Sequence, residues 1–445
     1  MIVHPGFAVE PWRLRETGID LDVLAQTESL LTLSNGHIGW RGNLDEGEPH
    51  GLPGSYLNGV FELRPLPYAE RAYGNPESGQ TIIDVTNGKL IRLLVNDAPF
   101  DVRYGHVRSH ERSLDFRAGV LNRQAEWESP AGSTVRVTST RLVSLVRRSL
   151  AAICYEVEAV DRTTRIVVQS ELVANEELPD PGGDPRTAAP LGPALVARAD
   201  AARGTRAGLV HSTGTSGLIV ASVMDHVIDG PEGTEAQSES FADLARTTVS
   251  TTLEPGQRLR LVKLVAYGWS GSRSLPAVRD QADAALAAGM QAGWDALLAE
   301  QRDYLDGFWS TADVELEGDT AIQQAVRFSL FQVLQAGARA EGRAIGAKGL
   351  TGPGYDGHTF WDMEAFVLPV LTYTVPAATA HALRWRHRTL PLALERGRLL
   401  GLAGAVFPWR TIRGEECSGY WPAGTAAFHI NADIAAAVLR YVAAT

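Results

Sequence analysis

The sequence predicts a multidomain α+β protein in which an antiparallel β-sandwich precedes an all-helical region. Two observations support this fold class. From about residue 25 to 268, apolar and polar residues alternate with a period of two, which is typical of strands. Near residue 272 the pattern changes to alanine-rich stretches with apolar residues at helical spacings. Because no long helices separate the strands, the sheets are expected to be antiparallel and packed face to face.

The strand region contains three features that make the prediction specific. Around residue 155, Ile153, Tyr155 and Val157 alternate with more polar neighbours, which places them on one face of a strand. The dipeptide Asn87-Gly88 predicts a hairpin turn. The segment from Asn175 to Pro193 is rich in proline, glycine and acidic residues, and it therefore predicts a long surface loop.

The helical region begins with a recognisable start signal. Ser274 is a suitable N-cap residue, and Pro276 fits the first turn of a helix. We therefore expect a β-sandwich domain over residues 1–270, a helical linker over 271–318 and a further helical domain over 319–445. Within that last domain, the spacing of apolar residues predicts helices at about 320–338, 361–373, 377–387, 389–401 and 427–443.

Composition limits the classes of partner. The 445 residues carry 52 acidic and 41 basic side chains, a net charge of -11 that is scattered along the chain and disfavours binding to nucleic acid. The two cysteines, Cys154 and Cys417, are far apart and lack metal-ligand spacing. They predict two buried free thiols and no metal site.

The chain also lacks the sequence features of export and membrane insertion. Its first ten residues have neither a basic end nor a continuous apolar stretch, so a cytoplasmic location is expected. The uncharged run from Ala365 to Leu383 is interrupted by Pro369 and Pro376. We interpret this run as buried helix and turn, and we expect no membrane partner.

The segment from Gly346 to Glu364 has the highest density of chemically informative residues. It is glycine-rich, but Lys348 precedes the wrong glycine for a phosphate-binding loop. The pair Trp361-Asp362 suits a sugar, because an indole can cover the apolar face of the ring while the carboxylate accepts hydrogen bonds from hydroxyls. A structural alternative stays open, in which Trp361 belongs to the core and Asp362 favours the helix start.

A second segment of this kind runs from Pro408 to Gly424 and is followed by His429. It combines aromatic residues and arginines with the adjacent acids Glu415 and Glu416. Such a loop fits the wall of a pocket for a polyhydroxylated ligand, although a solvated loop with surface ion pairs would show the same composition. The sequence contains no recognisable Ser/His/Asp arrangement.

At these residues the chain resembles glycoside hydrolase family 65, the inverting disaccharide phosphorylases that act on maltose, trehalose, kojibiose or nigerose, with a few hydrolases among them. Three motifs in the expected order carry the resemblance, and they lie at Glu28 to Asn43, Gly354 to Glu364, and Gly414 to Asp433. The resemblance implies an amino-terminal β-sandwich, a helical linker, an (α/α)6 barrel and a small β-domain. It also implies that this chain contains an incomplete (α/α)6 barrel, truncated after fewer than half of its helices.

The resemblance also implies a set of substrate-binding residues. Trp361 and Asp362 fall on the pair that holds the donor glucose, in the same motif as Tyr355 and His358. The loop with Glu415 and Glu416 is similar to the one that shapes the acceptor side. Met363 stands where the family usually has threonine, which is a departure next to the pocket that leaves the donor pair intact.

The implied activity is phosphate-dependent cleavage of an α-glucosyl disaccharide to β-glucose 1-phosphate and glucose. In an inverting phosphorylase, phosphate replaces both the attacking water and the base, so one carboxylic acid suffices. The resemblance places that acid and the phosphate pocket beyond Thr445, and no catalytic residue is therefore assigned within this chain. The expected partners are a disaccharide and inorganic phosphate, with no organic cofactor, and a homodimer is left open.

Two alternatives to this activity remain at the level of sequence. One is a hydrolase of the same family, such as a trehalase, in which water attacks instead of phosphate. The other is a truncated remnant that lacks catalysis or only binds sugar.

Overall fold

The computed structural model describes residues 6–68, 70, 72–177 and 192–445. Twenty strands lie within these residues. The first ten are β1 (Phe7–Glu10), β2 (Arg13–Thr17), β3 (Leu33–Ser34), β4 (Ile38–Trp40), β5 (Ser55–Leu57), β6 (Phe61–Pro65), β7 (Ser78–Ile82), β8 (Ile91–Val95), β9 (Ala98–Pro99) and β10 (His106–Asp115). The others are β11 (Val120–Glu128), β12 (Thr134–Val143), β13 (Leu150–Ala159), β14 (Thr164–Val173), β15 (Leu195–Arg203), β16 (Arg206–Thr213), β17 (Ile219–Asp229), β18 (Glu235–Ser240), β19 (Leu244–Leu253) and β20 (Arg258–Ser270).

The strands form two large sheets and two small ones. The ten-stranded sheet has the order β1-β2-β10-β11-β12-β13-β20-β17-β16-β15, and the five-stranded sheet has the order β18-β19-β14-β8-β9. Strands β3, β4 and β5 form a third sheet, and β6 pairs with β7. Neighbouring strands run antiparallel throughout, for example at Tyr155 opposite Leu261. The prediction of an antiparallel, sheet-rich amino-terminal region is therefore confirmed.

A single buried core lies between the two large sheets. It contains Tyr155 and Val157 from the ten-stranded sheet together with Val168 and Val249 from the five-stranded sheet. The predicted face of β13 is correct, because successive side chains of a strand point to opposite sides. Cys154 accordingly points away from this core, into a second buried cluster behind the large sheet.

The predicted hairpin at Asn87-Gly88 is wrong. Asn87 instead forms an isolated bridge to Val173, with backbone N–O distances of 2.7 and 3.1 Å. A two-residue hairpin occurs at Asn96 and Asp97, between β8 and β9, where both residues have positive φ angles of 47° and 69°. Asparagine and aspartate tolerate this left-handed region. Apart from its ends, the loop predicted from Asn175 to Pro193 lies outside the described residues.

The chain after residue 270 is helical, as predicted. The helices of the described residues are α1 (Leu24–Leu30), α2 (Leu275–Ala292), α3 (Trp294–Ala312), α4 (Thr320–Gly337), α5 (Leu368–Thr374), α6 (Pro376–Leu399), α7 (Trp421–Ala426) and α8 (His429–Ala444), with 3-10 turns at Leu21–Val23 and Gly354–Gly357 and a π-helix at Met363–Val367. Helix α2 starts after Ser274 with Pro276 in its first turn. Its buried residues Val278, Ala282 and Leu286 pack against the back of the ten-stranded sheet. The exact limits of the three domains stay a prediction.

The two helices predicted at 377–387 and 389–401 are in fact one helix, α6, with Pro391 inside it. Proline removes one backbone hydrogen bond and would normally favour a break. Here Trp385, Thr389, Ala393 and Gly397 are all buried at intervals of four residues. This continuous buried stripe holds the helix together, and Pro391 lies on the exposed side.

Two further expectations concern burial and membranes. Cys154 and Cys417 are both free and buried, as predicted. Among the described helices, none combines the length and hydropathy that a membrane span requires.

Candidate active site

The segment from Gly354 to Glu364 begins with a strained turn. Tyr355 and Asp356 both have a φ of 56°, in the left-handed region that costs a non-glycine residue roughly 1–2 kcal/mol. Gly357 follows, also with a positive φ, and a Cβ at this position would lie 2.5 Å from Cβ of Ile82. The turn therefore sits tightly against strand β7, and other contacts must hold it there.

The carboxylate of Asp356 supplies those contacts. This side chain is buried and accepts hydrogen bonds from Nη2 of Arg410 at 2.7 Å, Nη2 of Arg64 at 3.2 Å and Oγ1 of Thr81 at 3.2 Å. The two arginines neutralise a carboxylate that would be costly to bury alone. Asp356 thus joins the turn to strands β6 and β7 and to the loop that contains Arg410.

His358 is buried directly beside this cluster. Its Nε2 lies 2.5 Å from the carbonyl oxygen of Gln80, and its Nδ1 lies 2.5 Å from Nε of Arg410. Because arginine can only donate, Nδ1 is the acceptor and Nε2 carries the proton. Burial, reinforced by the charge of Arg410, lowers the pKa of His358 to about 3. The ring is therefore neutral, and both of its nitrogens are already occupied by protein groups.

Trp361 and Asp362 lie at the start of the following π-helix. Trp361 is half-buried and does not belong to the buried hydrophobic clusters of the described residues, which weakens its interpretation as a core residue. Asp362 is exposed, and its carboxylate makes no hydrogen bond or ion pair within the part of the chain that the structure describes. An accessible carboxylate therefore lies next to an accessible indole.

A row of aromatic rings, which we call the aromatic row, connects the two motifs. It consists of Tyr355, Phe360, Trp409, His429 and Trp361. Ring centroids lie 5.7, 6.2, 6.0 and 5.2 Å apart along this order, with consecutive rings edge-to-face. Such spacing is typical of favourable aromatic pairs. The sequence did not identify Phe360, Trp409 or His429 as site residues, although all three lie within or next to the motifs noted above.

The adjacent acids Glu415 and Glu416 have different environments. Glu415 is partly exposed and accepts hydrogen bonds from Arg413 and, at 2.9 Å, from Nε2 of Gln80. Burial alone would raise its pKa, but the hydrogen bonds and charge of Arg413 outweigh burial, so the pKa of Glu415 lies below its ordinary value. Glu415 is therefore an ionised carboxylate at the edge of the site.

Glu416 is buried and faces backbone amides. Its Oε2 accepts from the N–H of Trp409 at 2.6 Å, and its Oε1 accepts from the N–H groups of Cys417 and Ser418 at 2.9 and 2.8 Å. Burial raises the pKa of Glu416 to about 7. The geometry favours a role in holding the loop, and the proposed substrate contact of Glu416 stays a prediction.

The tertiary structure brings the two sequence motifs together. Thr359 and Thr411 form an antiparallel bridge, with backbone N–O distances of 2.9 and 3.2 Å. Gln80 links both motifs from strand β7, because its carbonyl binds His358 while its side-chain oxygen accepts from the N–H groups of Ile412 and Arg413. Gln80, together with Arg64 and Thr81, could not be assigned from sequence, since no local signal connects strands β6 and β7 with motifs more than 250 residues later.

A buried ion pair fixes the helix that follows Trp361. Glu364 binds Arg386 of α6 with Nε–Oε1 and Nη2–Oε2 distances of 2.7 and 3.0 Å. Both side chains are almost fully buried. This bidentate contact holds the π-helix, and thereby Trp361 and Asp362, against α6.

Comparisons with known proteins agree with this architecture. Residues 14–308 match the family model described as glycosyl hydrolase family 65, N-terminal domain, and residues 327–445 match the central catalytic domain of the same family. An uncharacterized glycosyl hydrolase of Mycobacterium tuberculosis is 62% identical over 99% of this chain and 56% of its own length. An alpha,alpha-trehalose phosphorylase of Thermoanaerobacter brockii is 36% identical over 99% of this chain and 58% of its own length.

The fold has a close counterpart among solved structures. A structure described as that of a candidate kojibiose phosphorylase from the human microbiome superposes with a TM-score of 0.89 and 25% identity, covering 98% of this chain and 56% of that one. The chain thus spans a little over half the length of the relatives it matches. With both family models matched in order along the sheet-rich and helical regions, the chain belongs to glycosyl hydrolase family 65.

Proposed function

We propose that the intact protein cleaves an α-glucosyl disaccharide by inverting phosphorolysis, and that this disaccharide is trehalose. The named relatives support the choice of substrate. Two alpha,alpha-trehalose phosphorylases are 36% and 32% identical to this chain, whereas the maltose and kojibiose phosphorylases are 28% and 27% identical. The expected products are β-glucose 1-phosphate and glucose.

The observation that supports a sugar site most directly is the pair Trp361 and Asp362. The carboxylate of Asp362 is exposed and has no partner among the described residues, so it can accept hydrogen bonds from two sugar hydroxyls. The adjacent indole offers an apolar face of the kind that packs on a pyranose ring. Glu415 is the partly exposed carboxylate of the second motif, and in this proposal it faces the acceptor glucose.

The chemistry requires groups that the resemblance places after Thr445. A carboxylic acid protonates the glycosidic oxygen while phosphate attacks the anomeric carbon from the opposite face, so the C–O bond to the leaving glucose breaks as the bond to phosphate forms. In this proposal helices α4 to α8 are the first part of the (α/α)6 barrel that carries the acid. The described residues bind and orient the disaccharide.

The test is an assay of the intact protein with trehalose in the presence and absence of inorganic phosphate. The proposal expects release of glucose 1-phosphate and glucose in equal amounts, and no reaction without phosphate. Glucose release that is independent of phosphate would instead identify a trehalase. Activity on maltose, kojibiose or nigerose but not on trehalose would contradict the assigned substrate, and no reaction with any of them would contradict phosphorolysis itself.

A further inference from the structure

A cationic cavity lies away from the residues of the candidate active site. It has a volume of about 350 Å³ and is lined by residues from the turn between β12 and β13, the end of β20, the start of the helical region, helix α6 and the loop after α4. Four arginines line it, namely Arg148, Arg273, Arg343 and Arg388, against one acid, Glu341. This formal excess of three positive charges contrasts with the net charge of -11 for the whole chain.

The single acid does not neutralise these arginines. Glu341 is already paired with Arg148 at 2.8 Å and with Arg339 at 2.6 Å. Within the described ranges, the side chains of Arg273, Arg343 and Arg388 make no ion pair, and the guanidinium group of Arg388 also makes no hydrogen bond. Nε of Arg343 is buried and finds no hydrogen-bond partner in the described part of the chain. Three guanidinium groups therefore converge on the cavity with unused donors.

The positive charges of these arginines lower the pKa of buried groups around the cavity. Burial is the largest cause that lowers the pKa of Arg343 to about 10, and repulsion by the charges of Arg148 and Arg388 adds to it. His37 lies buried behind them, and burial and the arginine charges hold its pKa well below its ordinary value. Among the residues that the structure describes, Nδ1 of His37 also has no hydrogen-bond partner. A bound anion would relieve this repulsion.

The walls of the cavity are ordered and chemically mixed. Arg343 stacks on the ring of Trp269, with its guanidinium carbon 4.3 Å from the ring centroid. The Oγ of Ser270 accepts hydrogen bonds from the backbone N–H groups of Ser272 and Arg273, which fixes the turn. Gln281 binds Nη1 of Arg273 at 2.7 Å. Guanidinium groups, hydroxyl groups and an indole therefore line the cavity from separate elements.

We propose that this cavity, defined by Arg273, Arg343, Arg388 and Trp269, binds a phosphate monoester of a sugar at a site distinct from the candidate active site. Guanidinium groups match the oxygens of a phosphate in planar, two-pronged contacts. Ser272 and the partly exposed Trp269 suit the hydroxyl groups and apolar face of the sugar. The volume lies within the range of roughly 300–1,000 Å³ that is typical of small-molecule sites.

The test must locate binding at individual arginines, because the proposed phosphorolysis requires the intact protein to bind phosphate at the active site as well. The intact protein is labelled with phenylglyoxal, and modification at each arginine is measured by mass spectrometry with glucose 6-phosphate, inorganic phosphate or glucose present. We expect glucose 6-phosphate to slow the labelling of Arg273 and Arg388 at least fivefold and glucose to have no effect. Arg384, an exposed arginine on the same helix that does not line the cavity, is the internal control.

The outcomes separate this proposal from the proposed function. Protection by inorganic phosphate equal to that by glucose 6-phosphate would show an anion site without sugar recognition, and would overturn the assignment of a sugar ester. Arginines that are unlabelled without any ligand would show that protein covers the cavity, which would also overturn it. In calorimetric titration, Arg343→Gln/Arg388→Gln should weaken glucose 6-phosphate binding at least tenfold, and Arg384→Gln should not. If the activity assay showed no phosphorolysis, the proposed function would fail, but the labelling and calorimetric results expected for this cavity would be the same.

Discussion

Nε of Arg410 donates a hydrogen bond to Nδ1 of His358 at 2.5 Å, and this contact determines the protonation state of a buried histidine. The same guanidinium group uses Nη2 to bind Asp356 at 2.7 Å. One arginine therefore orders both the strained turn and the residues that lead to Trp361.

The first prediction concerns His358 and pH. Its pKa of about 3 in the folded protein lies below the value of about 6.5 in the unfolded chain. A depressed histidine pKa means that the unfolded state takes up the proton first, so stability falls as the pH decreases from about 6.5 towards 3. Urea unfolding at pH 7, 6 and 5 should show this loss, to which His358 contributes at most about 1.4 kcal/mol per pH unit. The buried His37, His110 and His226 also have lowered pKa values and add to the total. His358→Gln should have a flatter profile, and an unchanged slope would contradict the assignment.

The second prediction concerns Trp361. Trp361→Ala should weaken sugar binding by the intact protein at least tenfold, about 1.4 kcal/mol, because the ring face is lost. Titration calorimetry with trehalose measures this directly. Phe241→Ala is a suitable control, since Phe241 is an exposed aromatic residue of the sheet region. Unchanged affinity in Trp361→Ala would return this residue to a structural role.

The third prediction separates binding from stability at Asp362. Asp362→Asn should leave the free energy of unfolding within about 0.5 kcal/mol of the original value, since the carboxylate is exposed and has no partner among the described residues. Release of glucose 1-phosphate should nevertheless fall at least tenfold, because a charged acceptor of sugar hydroxyls is lost. Full activity in this variant would exclude Asp362 from the substrate site.

The fourth prediction concerns the buried carboxylate of Asp356. Asp356→Asn leaves Arg64 and Arg410 without their shared counter-charge, and it should destabilise the fold by about 2–4 kcal/mol, somewhat less than for a fully buried pair because both arginines are partly exposed. Denaturant unfolding measures this loss, with Asp362→Asn as the matched control. Equal stability of the two variants would show that the ion cluster does not hold the turn.

The fifth prediction concerns the thiols. Burial, then the charge of Glu416, raises the pKa of Cys417 to about 12, and burial also raises that of Cys154. Both thiols should therefore resist a disulfide reagent in the native protein, because the thiolate is the reactive form. Two equivalents should react after unfolding in guanidinium chloride. Rapid reaction of Cys417 in the native state would indicate that the 409–418 loop opens.

The sequence by itself determined the elements whose signals are local. Alternation around Tyr155 predicted a strand and its buried face, and Ser274 with Pro276 predicted the start of α2, because both depend on neighbouring residues. The three motifs indicated the family, and they drew attention to Trp361, Asp362, Glu415 and Glu416.

Only the tertiary structure decided how those elements act together. It showed that Glu415 and Glu416 have different environments, because Glu415 binds Arg413 whereas Glu416 binds backbone amides. It kept α6 continuous through Pro391, because a buried stripe outweighs one lost hydrogen bond. It also placed the carbonyl oxygen of Gln80 in hydrogen-bond contact with His358, which lies 278 positions later in the sequence. Contacts of this range depend on packing and on which charges share a buried space, and no local pattern in the sequence records them.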